Sequence, residues 1–251
     1  MDGSIYLFLR FGNCRTHIPS SHRELDSTET GMVVLQAESE VAAINMVYGG
    51  AATGKAVMTS SSSPGVSLKQ EGISYIAAAS LPALILNVMR GGPGLGTIQP
   101  SQADYFQATK GGGHGDYHLI VLAPSTVQEM VDFVGLGFDL AFKYTNPCMI
   151  LADGIVGQMM EKVVLPEPRP RRTDEEIRKQ CPWAANGRLG GRKRNVITSL
   201  ELEPAKMEVI NHQLQERYRT IEQNETRWEE IDVEGADYLI VAFGSIARIS
   251  D

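Results

Sequence analysis

Residues 49–63 read GGAATGKAVMTSSSS, and the fold turns on what stands on either side of them. Gly49, four residues, then Gly54-Lys55 has the spacing of a phosphate-cradling loop. Such a loop works in one order only: a strand, the glycines, then a helix whose first turn offers a hydroxyl to magnesium. Upstream of this stretch, Val41, Ile44, Val47 and Ala51 keep a helical period. Downstream, AVMTS (56–60) is a short apolar run that reads as a strand. The order is therefore reversed, and the residue after the lysine, Ala56, has no hydroxyl. The stretch reads as a helix C-terminal turn with Gly54 as its cap, leading directly into a strand.

The same alternation continues outward. MVVLQ (32–36), ALILNVM (83–89), LIVLA (119–123) and CMILAD (148–153) read as further strands, with helical patterns between them. Ser67-Leu-Lys-Gln70 and Ser125-Thr-Val-Gln128 both have the S-x-x-Q form of a reciprocal cap and predict helix starts. Near-continuous apolar strands separated by helices imply an α/β fold with a parallel sheet covered on both faces. Helix-to-strand connections (TGKA, SLPA, TNP) are short. Strand-to-helix connections (QAESE, TSSSSPGVS, RGGPGLGTIQPSQ) are longer and carry the chemistry. Ligands of open parallel sheets bind outside the carboxyl ends of the strands, so the site is expected at that edge.

Composition restricts the function classes. The 251 residues are 43% hydrophobic and 21% charged, as in a globular protein with a sizeable core. A net charge of −7 gives no overall pull toward nucleic acid or an anionic membrane. No uncharged apolar run approaches the roughly 20 residues that span a bilayer, and the start, MDGSIYLFLRFGNCRTH, lacks the form of a signal peptide. Cys14, Cys148 and Cys181 are scattered, with no CxxC spacing. This argues against an iron–sulfur or zinc site on this chain and against a disulfide framework. The cytoplasm is the expected location.

Several residues at the loaded edge are candidates. Glu38-Ser-Glu40 falls where a strand passes into a helix; both carboxylates suit a helix N-terminus, and at a spacing of two they do not share a helical face. Arg90 ends a strand, where its planar fork suits a carboxylate or phosphate. Gly91-Gly-Pro-Gly-Leu-Gly96 fits no dinucleotide-binding frame. Lys110-Gly-Gly-Gly-His-Gly-Asp-Tyr-His118 offers His114, Asp116 and His118 as conceivable ligands, but close backbone approach by the glycines is the better reading, and no metal is expected on this chain. Residues 166–234, beginning PEPRPRRTDEEIRKQ, read as a charged connecting arm with an exposed helix over 205–230. DYLIVAFGS (237–245) reads as the first strand of a second, incomplete α/β domain.

The run from QAESEVAAINMVYGG through TSSSSPGVSLKQEG and MRGGPGLGTIQPSQADYFQATKGGGHGDYHLIVLAPSTVQEM closely resembles the α subunit of 2-oxoacid:ferredoxin oxidoreductases. MRGGPGLGTIQPSQADYFQ is most similar to the branch acting on 2-oxoisovalerate (3-methyl-2-oxobutanoate). The resemblance covers about residues 32–165. It implies the parallel-sheet thiamine diphosphate-binding fold and, within it, the pyrimidine-binding module. Residues 1–31 form an atypical N-terminal segment, in which His17-Ile-Pro-Ser-Ser21 only faintly echoes the family's pattern; 166–234 form the arm and 235–251 the start of the next domain.

By this resemblance Glu40 is the glutamate on the aminopyrimidine ring, Ser61 and Ser62 border the cofactor, and Arg90 holds the 2-oxo acid carboxylate. Thiamine diphosphate is shared with a thiamine-binding β subunit. Magnesium and iron–sulfur clusters belong to partner chains, including γ and ferredoxin-like subunits. The reaction implied is oxidative decarboxylation to an acyl-coenzyme A, with electrons passing to ferredoxin. The same reaction on 2-oxoglutarate, and an inactive assembly partner, are the alternatives.

Overall fold

In the computed structural model, the described residues are 8–9, 33–167, 169–170, 172–188 and 191–250. A six-stranded, all-parallel sheet is built from β1 (Phe8–Leu9), β2 (Val34–Leu35), β3 (Met58–Ser61), β4 (Leu84–Met89), β5 (Ile120–Leu122) and β6 (Cys148–Asp153). Its order is β2-β1-β3-β4-β6-β5. Five of the six expected strands form, β6 over the span expected, β3 shifted toward Ser61 and the others shorter at their ends. Strand β1 was not expected: a two-residue strand has too little length to show a period, yet it lies between β2 and β3, pairing Phe8 with Val34 and with Met58. The rest of the N-terminal segment, with Cys14 and His17 to Ser21, lies outside the described residues.

Alternation along the strands assigns the two faces. Val57, Ile85, Met89, Met149 and Leu151 point to one side, where α1 (Glu40–Ala52) and α2 (Ser63–Ala78) bury Ile44, Val47, Ile73 and Ile76 against them. Met58, Leu84, Cys148 and Ile150 point to the other, beneath α4 (Val127–Tyr144). Close approach depends on small residues. A side chain at Gly72 would strike Ile44 across the α1–α2 contact, and one at Gly137 would meet Leu84 Cδ1 at 2.7 Å beneath α4.

The stretch 49–63 behaves as read. Helix α1 ends at Ala52, the Gly54 N–H donates to Ala51 O at 2.9 Å, and Gly54 takes a φ of +80°. Lys55 Nζ is drawn away to Asp174 Oδ1 at 3.0 Å.

Both capping expectations need correction. Helix α2 opens at Ser63, with Pro64 in its first turn, so Ser67 is internal and its hydroxyl donates back to Ser63 O. Proline fits the first turn because its missing N–H would have no partner there. Helix α4 is capped by Thr126, which accepts from the Glu129 N–H at 3.1 Å; Glu129 Oε2 in turn accepts from Ser125 N–H and Oγ at 2.7 and 2.8 Å. The frame is T-x-x-E, one residue later than S-x-x-Q.

After β6 the chain forms a 3₁₀ turn (Val156–Gln158), α5 (Asp174–Gln180) and α6 (Pro204–Glu225), close to the helix expected over 205–230. Within the arm, Cys181 packs with Ile177 and Ala184 in a small cluster. The strand expected over 237–245 is absent. Residues 237–243 pair with no strand, Tyr238 to Val241 are exposed, and Gly244–Ser250 is helix α7. An apolar run becomes a strand only where a neighbour takes its N–H and C=O groups, and no edge of the sheet is presented to this one. The segment is instead tethered by Gln102 Nε2 donating to Phe243 O at 2.8 Å and by Ser245 Oγ donating to the buried Asp153 Oδ2 at 2.5 Å. Among the described residues no helix is long and apolar enough to cross a membrane.

Candidate functional site at the carboxyl edge of the sheet

Helix α1 begins where β2 ends. Ser39 caps it, its Oγ accepting from the Ala42 N–H at 3.1 Å, which makes Glu40 the first helical residue. A carboxylate there is favoured by the unpaired N–H groups of the first turn. Glu38 is exposed and precedes the cap. Ser61 is the last residue of β3 and Ser62 the N-cap position of α2, where its side chain makes no capping bond.

These pieces meet at Gly65. A Cβ there would overlap Ser61 Oγ and stand 3.1 Å from Glu40 Oε1. The missing side chain at Gly65 is thus what lets a carboxylate from α1 and a hydroxyl from β3 close together on the first turn of α2. The structure brings Glu40 and Ser61 together there, with Ser62 next in the chain.

Arg90 stands one strand over, at the end of β4, in a second cluster. Its backbone N–H donates to Ser63 Oγ at 3.0 Å, and Ser63 Oγ donates to Asp104 Oδ2 at 2.6 Å. Asn87, fully buried on β4, donates from Nδ2 to the same Asp104 oxygen at 3.0 Å. Two buried polar atoms of this cluster, Arg90 Nε and Asn87 Oδ1, have no hydrogen-bond partner among the described residues. Such atoms are costly unless a ligand or water completes them, so this cluster is short of one donor and one acceptor. Ser63, at the head of α2, links the two clusters.

The loop after Arg90 folds on itself, with Thr97 N–H donating to Gly91 O at 2.8 Å and Gly96 at φ +63°. It leaves Leu95 and Ile98 more than four-fifths exposed. The glycine-rich 110–118 loop packs on α2. Tyr117 Oη donates to Gln70 Oε1 at 2.5 Å, and side chains at Gly112 or Gly113 would strike Gln70. His114 is engaged by Ser74, whose Oγ donates to the His114 carbonyl at 2.8 Å. Among the described residues no three His, Cys, Asp or Glu side chains gather as a metal site.

The sequence reading missed Lys69. It is 0% exposed, and its Nζ donates to Thr59 Oγ1 at 2.7 Å and to Ser60 O at 3.0 Å. Burial pushes its pKa down to about 8, and the negative charge of Glu40 works in the opposite sense. The signal was available: Lys69 lies three residues after Val66 and four before Ile73, on the stripe that the helical period buries. Gly65, Ser63, Asn87 and Asp104 were missed as well. Their roles depend on contacts across 17 to 41 residues, which no local pattern carries.

The residues present fit an aminopyrimidine ring: the Glu40 carboxylate can meet a ring nitrogen, and the Ser61 hydroxyl stands beside it at Gly65.

Known proteins resemble this chain in sequence and in fold. The chain is 53% identical over 220 residues to ketoisovalerate oxidoreductase subunit VorB of Methanothermobacter marburgensis, covering 88% of this chain and 61% of that one. It is 37% identical over 221 residues to 2-oxoglutarate synthase subunit KorA of Archaeoglobus fulgidus, covering 88% and 62%. The chain therefore spans about three-fifths of the length of these curated relatives. A solved structure of 2-oxoglutarate:ferredoxin oxidoreductase from Magnetococcus marinus shares the fold, with a TM-score of 0.72 at 24% identity over 93% of this chain and 44% of that one. Residues 16–232 match the family described as pyruvate flavodoxin/ferredoxin oxidoreductase, thiamine diphosphate-binding, and the chain belongs to that family.

Proposed function

We propose that this chain supplies the pyrimidine side of a thiamine diphosphate site in a 2-oxoacid:ferredoxin oxidoreductase. The observation that carries the reading is the convergence of Glu40 and Ser61 on the bare backbone of Gly65. Bound there, thiamine diphosphate supplies a nucleophilic carbon that takes up the carbonyl of a 2-oxo acid and accommodates the electrons left by decarboxylation.

The chain's own residues prepare that chemistry. Glu40 holds a proton at a pyrimidine ring nitrogen, favouring the tautomer whose exocyclic nitrogen can act as a base. Gly65 lets Glu40 and Ser61 close on the first turn of α2, and Ser61 and Ser62 border the ring with hydroxyls. Arg90, whose Nε lacks a partner, offers a cationic fork to the substrate carboxylate. The Ser63–Asp104–Asn87 bonds fix the strand end that carries it. In balance, one 2-oxo acid and one coenzyme A give an acyl-coenzyme A and carbon dioxide, releasing two electrons singly to two ferredoxins and one proton.

The 53% identity to a ketoisovalerate oxidoreductase subunit supports 2-oxoisovalerate as the substrate. The 37% identity to a 2-oxoglutarate synthase subunit makes 2-oxoglutarate the competitor. In this reading residues 32–165 are the pyrimidine module, 166–234 the arm, and 235–251 the lead into a following domain. A β subunit holds the diphosphate and magnesium, γ and ferredoxin-like subunits carry iron–sulfur clusters, and the assembly works in the cytoplasm.

The test is viologen reduction by the chain co-expressed with its partner subunits, in the presence of coenzyme A. Faster reduction with 2-oxoisovalerate than with 2-oxoglutarate supports both reaction and branch. The reverse preference moves the chain to the other branch. No reduction by an assembled complex loaded with thiamine diphosphate overturns the catalytic reading in favour of an assembly partner.

A further inference from the structure

Two charged side chains are fully or almost fully buried among the described residues, Asp153 and Lys69. Asp153 has a structural occupation: its oxygens accept from Ile155 and Val156 N–H and from Ser245. Lys69 needs another explanation. It lies one helical turn after Gly65, so the two positions share a face of α2, and that face is the one turned to Ser61 and Glu40. Its ammonium does not travel to solvent, as a long lysine stem allows. It is held instead by Thr59 Oγ1 and Ser60 O, the two residues before Ser61 on β3.

We propose that Lys69 is a positioning residue for the pyrimidine site. It ties the carboxyl end of β3 to α2 and buries a positive charge on the face of α2 that is turned to Glu40. This rests on the reading of Glu40 given above. Two effects follow from the geometry. The bonds to Thr59 and Ser60 fix where Ser61 stands against Gly65, and hence beside Glu40. The ammonium is also the cation that α2 contributes to Glu40. Strand β3 brings only hydroxyls and carbonyls, and Glu38, at the entry to α1, has the same sign as Glu40. A carboxylate balanced by that cation presents its free oxygen to the ring in one orientation.

The test uses the complete complex with Lys69→Met, which keeps the length of the stem, and Lys69→Gln, which keeps a donor but not the charge. Three quantities are read: subunit assembly by size-exclusion chromatography, the Kd for thiamine diphosphate by calorimetry, and the hydrogen–deuterium exchange rate at the reactive carbon of bound thiamine diphosphate, by quench and NMR. Both variants are expected to assemble and to exchange at least 10-fold more slowly. Lys69→Met alone is expected to weaken thiamine diphosphate several-fold, because it leaves Ser60 O without its donor.

Wild-type exchange in both assembled variants overturns the proposal. So does failure of both to assemble, which would make Lys69 purely structural. Glu40→Ala in the same exchange assay separates the two claims. If Glu40→Ala is slow and the Lys69 variants are not, only the Lys69 proposal falls. If Glu40→Ala also exchanges at the wild-type rate, the pyrimidine-site reading itself is wrong.

Discussion

Strand β6 and helix α6 show two different ways of staying in place. All six residues of β6 are buried, and Cys148 to Leu151 alternate between the two apolar layers. Helix α6 has 22 residues, of which Leu214 is the buried one. It is held by separate polar contacts: Arg217 Nη1 to Ser80 Oγ and Thr145 O at 3.0 and 3.1 Å, Glu225 to Lys143 and Tyr144 at 2.7 Å each, and the edge-on pair of His118 and Tyr218. Fully burying an aliphatic side chain contributes about 1.5–3 kcal/mol, whereas a surface ion pair contributes roughly 0–1 kcal/mol. The sheet body is therefore secured by its own core, and the arm is secured by a few points on that body. The arm and the C-terminal segment also expose Met160, Leu165, Leu202, Trp228 and Tyr238 to Val241. Exposed apolar residues of this kind suit the proposed assembly with partner subunits.

The largest expected effect breaks the body. Ile150→Ala, at a fully buried β6 position, is expected to cost about 2–5 kcal/mol, read as a shift of the denaturant midpoint at unchanged slope. A loss well under 1 kcal/mol would mean that β6 is not the keystone its burial suggests.

Lys69→Met sharpens the contrast from the other side, because here burial works against stability. The folded-state pKa of about 8 lies below the ordinary 10.5, so the unfolded chain binds more protons between these values and stability rises with pH across that window. Below pH 8 the full cost of burying the ammonium is present. Removing it is expected to raise stability at pH 7 by roughly 1–3 kcal/mol, with the gain shrinking toward pH 10.5. A lower Tm at pH 7 would show that the bonds to Thr59 and Ser60 outweigh the desolvation. A gain in stability beside a loss of exchange is the signature of a residue kept for function.

The smallest effect concerns the arm. Hydrogen bonds from Lys143 and Tyr144, with help from Arg227, hold the Glu225 carboxyl at a pKa of about 2. Its contribution is complete above pH 4.5 and is lost as pH falls toward 2. Glu225→Gln is expected to flatten that acid dependence while leaving the body's unfolding near neutral pH almost unchanged. Thermal scans between pH 2 and 6 check this; an unaltered acid slope would contradict it.

Much of the architecture was legible because period and position report it directly. Five apolar runs became strands, since buried parallel strands must be apolar on both faces, and Gly54 closed α1 because its φ of +80° suits glycine. Helix starts were less legible. In the serine run 59–63 the pattern allows several frames, and Pro64 decided it. The strand expected over 237–245 failed for a tertiary reason, the lack of a pairing partner. At the site, Glu40 and Arg90 were nominated by their places at strand ends. The geometry around them was not readable, because Gly65 matters for what it lacks, Lys69 for where its tip goes, and Asp104 for two side chains that reach it from other elements.

The central claim is that Glu40, beside Ser61 at Gly65, serves the reaction rather than the fold. Its most direct test is viologen reduction with 2-oxoisovalerate and coenzyme A by wild-type and Glu40→Ala complexes, each checked for subunit assembly. The account predicts a fall of at least 100-fold in kcat, the usual scale for a proton-transfer residue, from a complex that assembles normally. Near wild-type turnover by the assembled Glu40→Ala complex would contradict it.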